Sequence, residues 1–172
     1  MNYPTKKEIL KEIDKEKYIP NQNIINIIKN WKKNTWRNYV GKINCNRQKA
    51  STLVDLINQL INNYESFTNN EIRTFYRDNQ ESTIKIRILN KYEFNKSENT
   101  IYIDKQNPSI ISTLHEFAHW LSNYLTIKEL QKELNLKDEE LFACSWSIYV
   151  FKEVFPTAYK KLVWEKHTLR RK

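Results

Sequence analysis

The spacing of the apolar residues changes twice along this chain, and that change most limits the folds open to it. Up to residue 80 the apolar side chains recur every three or four residues, the period of an amphipathic helix. The clearest stretch is 51–67, whose apolar positions share one helix face: Leu53, Leu56, Ile57, Leu60 and Ile61. Strict alternation begins at Ile84, and the helical period returns after Pro108. This order predicts an α+β fold, with a helical N-terminal region over 1–80 and a second domain over 81–172.

Two short stretches show the alternation typical of half-buried strands. Ile84, Ile86 and Ile88 face one way in the first stretch, and Ile101 and Ile103 do so in the second. A polar stretch separates the two, so we predict that they form a β-hairpin or a meander.

Composition excludes several classes of protein. Gly41 is the only glycine, so a P-loop or a dinucleotide-binding loop cannot be built. Cys45 and Cys144 are too few for a disulfide framework. The N-terminus is charged throughout, and no apolar run reaches the roughly 18 residues needed to span a bilayer. We therefore expect a soluble cytoplasmic protein with no membrane partner.

A basic segment over residues 29–49 carries interleaved aromatic rings, and the chain as a whole has a formal charge of +9. Its rings are Trp31, Trp36 and Tyr39. Cations for phosphates and rings for base stacking are what single-strand binding requires. A helix with a buried aromatic edge and a solvated lysine face would give the same residues. Nucleic acid bound through this segment is thus one of two open interpretations.

The stretch "STLHEFAHWL" carries the strongest chemical signal in the chain. His115 and His119 are four residues apart, so on a helix their imidazoles lie one turn apart on one face and can share a zinc ion at about 2.0–2.1 Å. Glu116 is rotated by about 100° from His115, too far to join them as a ligand. It can instead act as general base on a water that zinc has made acidic.

A catalytic zinc needs a third protein ligand. The remaining histidine, His167, lies near the C-terminus, so we look to Glu139 and Glu140 at the start of the next predicted helix. We prefer Glu140, because the small residues Ala143 and Ser147 share its face where two helices would approach closely. Either glutamate could instead complement the helix dipole.

The two stretches "TLHEFAHWL" and "EELFACSW" together resemble the gluzincin class of zinc metallopeptidases. They are most similar to the small zincin domains of ImmA/IrrE-type proteins and of antirestriction proteins from mobile elements, over roughly residues 80–156. The resemblance implies His115, His119 and Glu140 as zinc ligands and Glu116 as general base. The family often has an acidic residue four positions after the ligand glutamate, where this chain has cysteine.

The resemblance also implies a zincin-like core with a small sheet before the first metal-binding helix. The edge strand of that sheet would hold an extended peptide, and the strand "NTIYID" is expected to be this edge. Candidates for the donor that stabilises the oxyanion are Tyr124, Tyr149, Tyr159 and His167. We expect a zinc metallopeptidase, or a peptidase-like regulator, acting on a protein or peptide. The alternative is a nucleic-acid-binding mobile-element protein with a structural or inactive zincin domain.

Overall fold

The computed structural model describes residues 4–14, 22–38, 49–62, 85–125 and 139–162. Within these ranges the chain has an α+β architecture of six helices and one three-stranded sheet. The elements are α1 (Lys6–Ile13), α2 (Gln22–Asn38), α3 (Ala50–Asn62), β1 (Lys85–Leu89), β2 (Glu93–Asn95), β3 (Thr100–Asp104), α4 (Ile110–Leu125), α5 (Glu139–Val154) and α6 (Pro156–Lys160). The expected domain boundary at residue 80 lies outside the described residues. None of the helices in these ranges is both long and apolar enough to cross a membrane.

Two helices begin with side-chain caps that satisfy their free N–H groups. Thr5 and Glu8 form a capping box at the start of α1, with the Thr5 hydroxyl accepting from the Glu8 N–H at 3.2 Å. Ser109 caps α4, since its hydroxyl accepts from the Ser112 N–H at 3.2 Å. The Tyr92 hydroxyl accepts the Ser109 N–H at 2.6 Å and so fixes where α4 starts relative to the sheet.

The strand order is β1-β3-β2, which differs from the predicted hairpin or meander of the two alternating stretches. β1 and β3 pair in parallel, from Lys85 opposite Thr100 to Leu89 opposite Asp104. The hairpin is instead between β2 and β3, with Asn99 at φ 49° just before β3. A small polar side chain tolerates that left-handed backbone better than most residues do.

β3 is the central strand, so the expectation that "NTIYID" forms the peptide-holding edge is wrong. Both of its edges are already hydrogen-bonded, to β1 on one side and to β2 on the other. The chain leaves β1 and passes the end of β3 before it forms β2. A hydrogen bond from the Lys105 N–H to the Leu89 carbonyl, 2.9 Å long, closes that crossing.

Helix α5 is the centre of the hydrophobic core. It packs against α1, α2, α4 and α6, and its buried residues are spread around its whole circumference. Those residues are Phe142, Ala143, Cys144, Ser145, Trp146, Ser147, Ile148, Val150, Phe151 and Val154. Described residues on both sides of residue 80 therefore contribute to one core.

The first aromatic residue of the basic segment belongs to this core. Trp31 is fully buried, so its ring cannot stack on a base in this fold. The neighbouring Lys32 donates to the Val154 carbonyl at 2.7 Å and lies 4.8 Å from the centre of the Phe155 ring. This end of the segment contributes to packing, while residues 39–48 lie outside the described part of the chain.

Candidate metal centre

Helix α4 presents two imidazoles side by side toward α5. His115 and His119 are one helical turn apart, and their rings meet edge to face with centroids 4.8 Å apart. Their Nε2 atoms lie 3.1 Å from each other. Apolar residues on the other side of α4, including Leu114, Phe117 and Leu121, are buried in the core. The amphipathic pattern of α4 therefore fixes which way both histidines point.

The carboxylate of Glu140 faces both of these nitrogens. One of its oxygens lies 2.7 Å from His115 Nε2, and the other lies 3.0 Å from His119 Nε2. Ligand atoms of the three residues all lie within 4.8 Å of one another. The structure thus brings together, from two helices, the three side chains that the sequence analysis proposed as ligands.

Glu139 takes a different place from its neighbour. Its Oε1 lies 3.0 Å from His119 Nδ1, on the side of the ring away from Glu140. The Ser122 hydroxyl donates to the same oxygen at 3.1 Å. Glu139 exposes 56% of its side chain and Glu140 only 18%. Of the two glutamates that the sequence left open, Glu140 is therefore the one placed between the histidines.

Two further residues act on the histidines. Cys144 lies behind the first of them, with its Sγ 3.7 Å from His115 Nδ1. Glu116 is buried on α4, and its charge acts to raise the pKa of His119. A sulfur atom at this distance is a weak hydrogen-bond partner compared with the carboxylate beside His119.

The cluster shifts the proton affinities of its members in opposite directions. Burial would lower the pKa of His119, but hydrogen bonds to Glu139 and Glu140 outweigh it and raise the pKa to about 9. Burial would likewise raise the pKa of Glu140, yet hydrogen bonds from both histidines hold it well below its ordinary value. The hydrogen bond with His119 also lowers the pKa of Glu139. Without metal, His119 and the two carboxylates form a charged network.

The donor set and its spacing suit a zinc ion. Two imidazole nitrogens and one carboxylate oxygen are a ligand set found in catalytic zinc sites. Tetrahedral ligands at 2.0–2.1 Å from a zinc ion are about 3.3 Å from one another. The two imidazole nitrogens are 3.1 Å apart, which is close to that value, and the two Glu140 oxygens lie 2.7 and 3.0 Å from one nitrogen each.

The candidates for an oxyanion donor remain apart from this cluster or outside the described residues. Tyr149 lies about 13 Å along α5 from Glu140, given the rise of a helix. Burial raises the pKa of Tyr159, and the charge of Asp14 in the N-terminal region raises it further. Nothing is described of the Tyr124 side chain or of His167.

Comparisons with known proteins found no relative of this chain. No family model, no curated protein and no solved structure matches the chain. The sequence analysis did not predict the contact of Ser122 with Glu139. Its signal was the i, i+3 spacing of Ser122 from His119, which places both side chains on the same face of α4.

Proposed function

We propose that this chain is a zinc-dependent metallopeptidase, or a regulator with the same kind of site, acting on a protein or peptide. The observation that carries the proposal is the convergence of His115, His119 and Glu140 from two helices, with their ligand atoms within 4.8 Å. The donor chemistry described above supports zinc as the ion. A core of the zincin type is part of the same proposal.

Each residue of the site then has a role of its own. His115, His119 and Glu140 would hold the ion, which would supply the Lewis acidity that lowers the pKa of water toward neutral. Glu116 follows the first ligand on the buried side of α4 and is the general base of the proposal. It accepts a proton from water and passes that proton to the amine that leaves when the peptide bond breaks.

The sheet offers a place for an extended substrate. Because β3 is paired on both sides, a peptide strand would add to an outer strand, and β2 is the outer strand that packs against α4. An open surface depression is lined by residues 93–97, which form β2 and the turn that follows it. Main-chain hydrogen bonds to β2 would bind peptides with little dependence on their sequence.

Metal analysis of three matched proteins tests the metal site. We expect about one zinc per chain in the wild type, loss of that zinc in Glu140→Ala, and full retention in Glu153→Gln. Glu153 is an exposed glutamate of the same helix, about 20 Å from Glu140 along the axis. A Glu140→Ala protein that keeps its zinc would contradict the ligand assignment.

Turnover of a quenched-fluorescence peptide library tests the chemistry. Glu116→Gln should keep the metal and lose cleavage by a factor of at least 10², because the base is removed and its shape is preserved. The wild type loaded with zinc is the positive control, and the chelated protein is the negative one. Equal turnover in Glu116→Gln at equal zinc content would refute the mechanism.

A further inference from the structure

The two edges of the His119 ring are held by two consecutive glutamates with different surroundings. Nε2 faces Glu140, and Nδ1 faces Glu139 at 3.0 Å. Successive residues of a helix point about 100° apart, so the first turn of α5 can reach both sides of one ring. Glu139 therefore cannot take the place of Glu140 without a rotation of the His119 ring.

Glu139 is itself held in place from α4. The buried Ser122 lies 3.1 Å from Glu139 Oε1 through its hydroxyl and 2.9 Å from the His119 carbonyl. The single proton of the Ser122 hydroxyl is shared between these two acceptors, so one Glu139 oxygen contacts both the ring of His119 and a hydroxyl that also contacts the backbone of the same turn. The contact between Glu139 and His119 therefore involves a third side chain, Ser122, in addition to the exposed glutamate.

We propose that Glu139 is a positioning residue, which accepts the Nδ1–H of His119 and so turns the Nε2 lone pair toward the metal. The proposal rests on the zinc site proposed above. An Nδ1–H that is hydrogen-bonded to a carboxylate fixes the tautomer, limits ring rotation and makes the other nitrogen a stronger donor. At His115, the Sγ of Cys144 lies 3.7 Å from Nδ1.

Zinc affinity measured at high pH separates this role from competition by protons. We compare the wild type, Glu139→Gln, Ser122→Ala and the charge-matched control Glu153→Gln in chelator-buffered zinc, from pH 7 to a plateau above pH 9. Glu139→Gln should lower the plateau affinity by about 10- to 100-fold, the usual cost of removing such a partner. Ser122→Ala should lower it by a smaller factor, and Glu153→Gln should leave it unchanged.

Nitrogen-15 spectra of the histidine rings report a property that would not change if Glu139 had a purely structural role. In the zinc-loaded wild type we expect His119 to carry its proton on Nδ1, and in Glu139→Gln we expect a weaker hydrogen bond at that nitrogen. Circular dichroism of each variant checks that the fold is kept, as the exposure of Glu139 predicts.

The two proposals fail in different ways. If wild-type protein binds zinc at one per chain and the plateau affinity of Glu139→Gln is within threefold of it, the positioning role is overturned and the metal site stands. If the wild type binds no zinc, the metal site is overturned, and the positioning role falls with it.

Discussion

Zinc binding to this protein should release about one proton at pH 7. In the metal-free chain Glu139 and Glu140 keep His119 protonated, because their hydrogen bonds outweigh the effect of burial and raise its pKa to about 9. A histidine that binds a metal ion through Nε2 needs a lone pair on that atom. The proton that Nε2 shares with Glu140 must therefore leave before His119 can act as a ligand.

The loss of apparent zinc affinity follows from the difference between the pKa of His119 and the pH of the measurement. At pH 7, two units below the pKa of about 9, the competing proton weakens the apparent zinc affinity about 100-fold, or about 2.7 kcal/mol. The affinity should rise about tenfold for each pH unit between 7 and 9 and then become constant. A histidine with an ordinary pKa near 6.5 would show almost no rise in this range.

Calorimetric titration with zinc at pH 7, in buffers of different protonation enthalpy, measures the proton count directly. The observed heat should vary with the buffer's enthalpy with a slope of about one proton per zinc bound. Glu153→Gln should behave like the wild type. Zinc binding at one per chain with heats independent of the buffer would refute the reasoning, because His119 would then already be deprotonated.

Four further outcomes follow from the described residues. The pKa of His119 is higher in the folded protein, at about 9, than its unfolded value of about 6.5. Its protonation therefore stabilises the metal-free fold fully below pH 6.5, and this stabilisation is lost as the pH rises through about 9. Urea unfolding in the presence of a chelator should show a loss of about 3 kcal/mol in the free energy of unfolding between these pH values. Trp31→Ala should lower the free energy of unfolding by about 3–5 kcal/mol, whereas unchanged stability with lost binding to single-stranded DNA would contradict its burial. Lys32→Met removes the hydrogen bond to the Val154 carbonyl and should cost about 1–3 kcal/mol, measured by urea unfolding. Asn99→Ala places a less tolerant residue at φ 49° and should cost about 1 kcal/mol by the same measurement, with Asn99→Gly as the tolerated control.

The parts of the site that depend on local spacing could be predicted from the sequence. The four-residue interval between His115 and His119 fixes their common face on any α-helix, so their proximity needs no knowledge of the tertiary fold. The position of Glu140 follows from the small side chains on its face of α5, which let two helices approach. The same small side chains favoured Glu140 over Glu139 as the ligand. The place of Glu139 beside Nδ1 of His119 could not be predicted that way, because it depends on which edge of one ring each glutamate reaches.

The pairing of the strands could not be predicted in the same way. Alternation assigns Ile101 and Ile103 to one face of a strand, but it does not say which strands lie on either side. The crossing past the end of β3 depends on contacts such as that of Tyr92 with the start of α4, which join residues far apart in sequence.

The role of the basic segment was ambiguous in a similar way, since a buried tryptophan and a base-stacking tryptophan can have the same neighbours in a sequence. Only the surroundings of Trp31 show that it belongs to the interior.

The burial of α5 on every side has a consequence for how this protein can be divided or engineered. The proposed metal ligands and general base all lie within residues 115–140, yet the back of the helix that carries Glu140 packs against α1 and α2 from the N-terminal part of the chain. A fragment of residues 85–162 would contain every proposed ligand, but it would expose an apolar face of α5 to solvent. Grafting the motif into another scaffold would therefore require a replacement for that N-terminal cover as well as the three ligating side chains.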